Sequence, residues 1–282
     1  MKPKIIAIAG PTASGKTKMA IDLAKKIDGE IISADSRLVY KGFNIAAAKP
    51  TLEEREGIPH YMIDIVEPEY DYSVGDYYEE AKNNIVDILK REKTPIVAGG
   101  TGLYFRILLE NYDLPRVEAD FELREELNKL EKEDLLEEIK VMDKISYERL
   151  KDADKRRIVR ALEVIRILNK PFSEVCILKE PEYNVEWLCP EMESREWLYD
   201  RINERVDLMV EQGIVDETKY LLKKHGRIKN FTETIGYKEI LTYLDGEASF
   251  EEALDKLKQH SRNYAKRQLT WFRRNPELKI NI

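Results

Sequence analysis

With 282 residues, 43% of them hydrophobic, and only two cysteines, the chain has room for one large domain or two and excludes a disulfide-built scaffold. Cys176, Cys189 and three histidines give no zinc-finger spacing, and no apolar run is long enough to span a bilayer, so a soluble protein of the cytoplasm without membrane partners is expected. The net charge of −7 excludes a uniformly basic nucleic-acid binder, yet Lys256 to Arg274 holds seven basic and no acidic residues, and Glu118 to Glu138 holds ten acidic against three basic.

Ile5 to Ala9 is a continuous apolar run, as in a parallel strand buried on both faces. A glycine-bounded loop, Gly10 to Gly15, leads to a helix with Met19, Ala20, Leu23 and Ala24 on one stripe. Glu30 to Asp35, His60 to Val66 and Pro95 to Ala98 read as further strands. Tyr77, Ala81, Ile85, Ile88 and Leu89 mark a helix between the last two. Strands alternating with helices predict an α/β domain with a mainly parallel sheet.

After Leu114-Pro115 the texture changes to charge and helix formers. Leu123, Leu127 and Leu130 form one apolar stripe, and Ile158, Leu162 and Ile165 another, until Pro171 and Pro181 punctuate the exit. This predicts a helical insertion over 113–185, framed by an α/β core over 1–112 and 186–282. Trp187-Leu188-Cys189 returns the chain to the sheet. Helices follow from Ser194 to Gln212, stopped by Gly213, and from Ile214 to His225, stopped by Gly226. Ser249 and Glu252 form a capping box that opens a last helix running to about Trp271. Its aromatic residues Trp271 and Phe272 are expected on the buried side.

Gly10-Pro11-Thr12-Ala13-Ser14-Gly15-Lys16-Thr17 fits G-x-x-x-x-G-K-[ST] between a strand and a helix. Glycines let backbone amides curl around a di- or triphosphate, and the helix N-terminus adds a favourable dipole. Lys16 supplies a mobile charge for the outer phosphate, and the Thr17 hydroxyl can ligate Mg²⁺. Asp35 ends the second strand, at the sheet edge where ligands of parallel α/β folds bind. There it can take a proton, hold metal-bound water, or cap the next turn. Gly99-Gly100-Thr101-Gly102 brings backbone and a hydroxyl to the same edge. Val97-Ala98 runs into glycine rather than into a metal-binding acid, which argues against ordinary ATP hydrolysis.

Several stretches together resemble the tRNA dimethylallyltransferase family, also called tRNA isopentenyltransferases. They are GPTASGKT (10–17), GEIISADS (29–36), AKPT (48–51), IPHYMIDIV (58–66), GGTGLY (99–104), RRIVRALEV (156–164), RINERVDLM (201–209), IGYKE (235–239) and YAKRQLTWFR (264–273). The resemblance implies transfer of a dimethylallyl group from dimethylallyl diphosphate to N6 of an adenosine beside the tRNA anticodon, with Mg²⁺. It implies a P-loop NTPase-like parallel core, the inserted helices and a helical C-terminal part, in a chain expected to be monomeric. Asp35 is then the general base, and Thr101 positions the amine or the phosphate. Gly10 to Thr17, Arg160 and Arg201 hold the diphosphate, with Thr17 on the metal. Asp35, Ser36, Arg37, Leu38, Thr101, Arg124, Arg156, Arg157, Ile158, Val159, Arg160, Lys266 and Arg267 meet the tRNA anticodon stem-loop. Within the basic run, Lys258, Arg262 and Lys266 are expected to face RNA.

The chain departs from the family pattern at several positions, and its insertion and the stretch after Pro171 are short for the family. Arg37-Leu38 replaces Met-Gln, whose glutamine resembles a contact to the target base. Ala46-Ala47 replaces Gly-Thr, and Arg156 stands where glutamine is common. Rival readings are an isopentenyltransferase acting on free adenine nucleotide, a small-molecule kinase, and a tRNA-binding paralogue with weakened catalysis.

Overall fold

The computed structural model describes residues 2–115 and 117–282, so Met1, where the expected core begins, and Arg116, inside the expected insertion, lie outside the described residues. The chain divides into two compact units, one formed by Met1–Leu109 with Glu182–Ile282, the other by Glu110–Pro181. The first limits lie a few residues before the expected 112/113 and 185/186 boundaries.

The larger unit is built on five parallel strands in the order β3-β2-β4-β1-β5. They are β1 (Lys4–Ala9), β2 (Gly29–Ala34), β3 (His60–Tyr61), β4 (Thr94–Gly99) and β5 (Asn184–Leu188). Ile5 to Ala9 are all buried, as their uninterrupted apolarity requires. Helix α1 (Lys16–Ile27) lays Ala20, Ile21 and Ala24 on Ile6, Ile8, Ile31 and Ile96 of the sheet. Helix α2 (Val74–Lys90) starts at a Ser73–Asp76 capping box. Helix α3 (Gly102–Leu108) follows β4 directly, and its Tyr104 ring stacks on Tyr77 with centroids 3.6 Å apart.

The expected strand from His60 to Val66 keeps only its first two residues. Met62 and Asp64 take positive φ, 65° and 56°, which an extended ladder cannot accommodate. Val66 returns to a single bridge with Tyr40. The return to the sheet through Trp187 occurs as expected, with Trp187 opposite Ala7 in β1.

In the smaller unit the described elements are helical apart from a Tyr112–Leu178 bridge: α4 (Phe121–Lys129), α5 (Lys132–Met142), α6 (Lys144–Leu150), α7 (Lys155–Leu168) and the short α8 (Phe172–Val175). Leu127, Leu135, Ile139, Ile158, Leu162 and Ile165 form its core. Leu130 leaves the expected stripe because it caps α4 in an extended conformation and stays exposed.

Glu163 is fully buried in this unit. Arg124 bonds both its carboxylate oxygens at 2.8 and 3.0 Å, Arg160 bonds Oε2, and the Asp120 amide donates at 2.8 Å. Burial alone would raise the Glu163 pKa, but the two guanidinium hydrogen bonds prevail and hold it below the usual carboxylate range. Glu163→Ala is expected to cost about 3 kcal/mol in urea unfolding, the low end for an orphaned buried pair, since both arginines can reach water.

The C-terminal part of the larger unit runs α9 (Arg195–Glu211), α10 (Ile214–His225), α11 (Lys229–Thr232), α12 (Tyr237–Leu244) and α13 (Phe250–Phe272). Ser194 and Ser249 cap α9 and α13 through Trp197 and Glu252. Gly213, at φ 91°, makes the turn between α9 and α10 that a Cβ would strain. Among the described residues no helix is long and apolar enough to cross a membrane.

Candidate active site

The loop after β1 is shaped by left-handed residues, Ala13 at φ 62° and Gly15 at φ 93°. The Ser14 hydroxyl donates to Pro11 O at 2.9 Å, and Lys16 Nζ reaches the same carbonyl at 2.5 Å. Three side chains from the C-terminal helices brace the loop. The Arg205 guanidinium donates to Thr12 Oγ1 at 2.8 Å, Arg201 Nε to Ala13 O at 3.0 Å, and Gln268 Oε1 accepts from the Thr12 amide at 2.8 Å.

Burial, with the Arg205 charge beside it, lowers the Lys16 pKa to about 8, despite the opposing pull of Asp35. Free Lys16 is therefore charged below pH 8 and must take up a proton to meet an anion above it. Affinity for inorganic diphosphate is expected to fall by up to about tenfold per pH unit above pH 8. Calorimetric titration of wild type and Lys16→Met across pH 6.5–9.5 checks this, since the variant should lose that component of the slope.

Asp35 emerges from the carboxyl end of β2, and its Oδ1 accepts from the Arg37 amide at 2.8 Å. Thr101 is locked beside it: its amide donates to Ala34 O at 3.0 Å, and its Oγ1 accepts from the Ser36 amide at 3.1 Å. Tyr264 of α13 is hydrogen-bonded to Thr101, and burial next to the Asp35 charge lifts its hydroxyl pKa to about 12.

The glycines of GGTG are needed for space. A Cβ on Gly99 would stand 2.2 Å from Ala34 O, and one on Gly100 would stand 2.1 Å from Gln268 Nε2. Gln268, buried in α13, donates to Gly100 O at 3.0 Å while its oxygen holds Thr12. One amide thus ties the P-loop to the glycine turn.

These groups surround a cavity of about 540 Å³. Of the residues singled out in the sequence, Thr12, Lys16, Thr17, Asp35, Ser36, Arg37, Leu38 and Arg267 line it. Ile202, Val206, Met209 and Leu257 give it an apolar side. Arg201 stays on the loop backbone, with its guanidinium 4.9 Å from the Trp197 ring. Lys266 is exposed on α13, and Arg267 lies 5.7 Å over Tyr264. Phe272 is buried against Phe105, as expected, whereas Trp271 is half-buried over Gly102.

Other expectations meet different surroundings. The Arg160 guanidinium, expected on the diphosphate, is spent on Glu163 and on Val117 O at 2.9 Å. Arg124 is likewise committed to Glu163. Ile158 and Val159 are core residues of the smaller unit, so their side chains are not offered to RNA, whereas Arg156 and Arg157 are exposed. Lys258 and Arg262, expected to face RNA, turn instead to α9: Lys258 pairs with Asp207 at 2.6 Å and Arg262 bonds Asn203 at 2.6 Å.

Arg205 escaped the sequence reading. Burial lowers its pKa, and Asp35 offsets part of that. The available signal was its spacing: four residues after Arg201, it shares that helix face. Gln268 and Tyr264 carried no such signal, since their partners are far away in the chain.

Among the described residues no three His, Cys, Asp or Glu side chains cluster as a metal cage. Mg²⁺ needs none when a phosphate ligand supplies oxygens, because it keeps several waters and takes one or two protein oxygens. The Thr17 hydroxyl in the first turn of α1, at the cavity wall, is a hard donor of that kind.

The profile of the IPP transferase family matches residues 38–275. A tRNA dimethylallyltransferase of Anoxybacillus flavithermus is 44% identical over 97% of this chain and 88% of its own length. One of Thermoanaerobacter sp. is 44% identical over 97% of this chain and 90% of its own. Among solved structures, the tRNA isopentenylpyrophosphate transferase of Bacillus halodurans superposes with a TM-score of 0.73 at 41% identity, covering 99% of this chain and 90% of that one. A eukaryotic dimethylallyltransferase acting on tRNA superposes with a TM-score of 0.82 at 32% identity, covering 96% of this chain and 70% of that one.

Proposed function

The chain belongs to the IPP transferase family, the tRNA dimethylallyltransferases, and carries that family's prenyl transfer to tRNA; from this premise we propose that dimethylallyl diphosphate is the donor, N6 of an adenosine beside the anticodon the acceptor, and Asp35 the base. The observation that carries this reading is the convergence of two half-buried cations, Lys16 and Arg205, and one carboxylate, Asp35, on a single cavity.

The allylic C1–O bond breaks, the C1–N6 bond forms, diphosphate leaves with the bonding pair, and the N6 proton passes to Asp35. Lys16, the loop amides and Arg205 meet the growing charge on the leaving group. N6 is a poor nucleophile because its lone pair is delocalised into the ring, so losing its proton as the new bond forms lowers the barrier. Thr101 holds the Ser36 amide and Tyr264, and thereby fixes the backbone that carries Asp35. The apolar side of the cavity suits the five-carbon tail and excludes water from the allylic cation-like centre. Magnesium, held through Thr17 when bound, would neutralise diphosphate charge. All these residues come from one chain, so a monomer suffices.

The base must leave its stack, which costs least in an unpaired loop. Lys266 and Arg267 are exposed on α13, with Arg267 on the cavity wall, and are the residues proposed to meet RNA phosphates. Lys266→Ala with Arg267→Ala is expected to lower tRNA affinity and to flatten the log–log salt slope by about 1–2. Filter binding between 50 and 250 mM salt reads both.

Mass analysis of nucleosides from tRNA incubated with the protein, Mg²⁺ and dimethylallyl diphosphate tests the whole reading. Prenylated adenosine in tRNA supports it. Prenylation of AMP alone would favour the free-nucleotide enzyme, and tRNA binding without product would favour a paralogue weakened at Leu38.

A further inference from the structure

The hydroxyl of Ser33 is buried and has no hydrogen-bond partner among the described residues. Such a group costs free energy unless something outside the protein satisfies it. Its place in the fold indicates what that is. Ile31, two residues earlier on β2, packs in the cluster beneath α1, and strand periodicity puts Ser33 on the same face, one step nearer the P-loop. Its neighbour across the ladder, Ala98, packs on the same cluster and offers no polar atom from its side chain. Ser33 therefore lies under the N-terminal end of α1, and it lines the cavity together with Lys16, Thr17 and Asp35.

We infer that Ser33 is a positioning residue for the magnesium–diphosphate complex, its Oγ accepting a hydrogen bond from a water of the metal's shell. This rests on the proposed binding of Mg²⁺ through Thr17. Mg²⁺ gives up its waters reluctantly, so a site with one protein hydroxyl and diphosphate oxygens leaves several waters to be oriented by the walls. The acceptors of those waters set metal affinity as strongly as many direct ligands do. Asp35 accepts from the Arg37 amide through Oδ1, and its remaining capacity serves the N6 proton. Ser33 is a buried neutral acceptor without a partner among the described residues, two positions before Asp35, and its use would let the metal be held without drawing on the base.

Titration calorimetry of inorganic diphosphate onto the full chain tests the assignment. Wild type and Ser33→Ala are compared in Mg²⁺ and in EDTA, with thermal melting of both proteins alongside. The alanine is smaller than the serine, and removing an unmet hydroxyl should leave the ligand-free protein at least as stable as wild type. The expected result is a magnesium-dependent gain in affinity for wild type, cut about tenfold or more by the substitution, with binding in EDTA unchanged. An undiminished gain in the folded variant would overturn the assignment while leaving magnesium in place. Equal losses with and without Mg²⁺ would also overturn it, showing a direct bond from serine to phosphate. A wild type that binds diphosphate equally in both buffers would remove the magnesium reading itself, and Ser33's role with it.

Discussion

Asp35→Ala is expected to lower turnover by at least ~10²-fold, the usual contribution of a positioned general base, while tRNA affinity stays within about twofold. Asp35→Asn should lose nearly as much. The amide can still accept the Arg37 N–H and so keep the turn after β2, but it cannot take the N6 proton. Single-turnover prenylation at saturating donor, beside tRNA filter binding, separates the two effects. Near-normal turnover in the asparagine variant would remove Asp35 from proton transfer and leave it as a turn residue.

Lys16→Ala and Arg205→Ala are each expected to lower kcat/KM for the allylic donor by ~10²–10³-fold, the range for losing one preorganised donor to a developing anion. They should differ in their structural cost. Among the described residues Lys16 bonds the loop's own Pro11 carbonyl alone, and partial desolvation makes its charge unfavourable to the fold. Its removal should leave the melting temperature unchanged or raised. Arg205 anchors Thr12 from α9, so its loss should also loosen the loop. Initial rates at varied donor concentration, with melting curves and tRNA binding, distinguish these outcomes. Loss of tRNA binding with normal diphosphate binding in either variant would contradict the assignment of both cations to the leaving group.

The parts of the fold that were legible in the sequence are those fixed by local rules. The strand–glycine loop–helix unit, the Ser249–Glu252 box and the Gly213 and Gly226 stops depend on residues a few positions apart, and each element lies where its pattern places it. The strand from His60 to Val66 failed because apolarity alone does not reveal that Met62 and Asp64 turn left-handed. At the site, the P-loop and Asp35 could be located from motif and strand end. The brace around them could not, because Arg205, Tyr264 and Gln268 act on partners 160 or more positions away. Charge was equally hard to read. Lys258 and Arg262 look like Lys266 in sequence, yet they face α9, and Arg160 looks like a clamp yet serves a buried glutamate.

The Gln268 amide has a consequence for the order in which the site comes into being. The P-loop leaves the ribosome before the glycine turn, and both precede α13 by a long stretch of chain. Yet the side chain that spans them comes 256 residues after Thr12 and 168 after Gly100. A nascent chain can therefore assemble β1, β2 and β4 and still lack the clasp between its phosphate loop and its catalytic turn. The finished site waits for α13 to be made, so a product that reaches only α12 would carry the motif residues without the geometry that joins them.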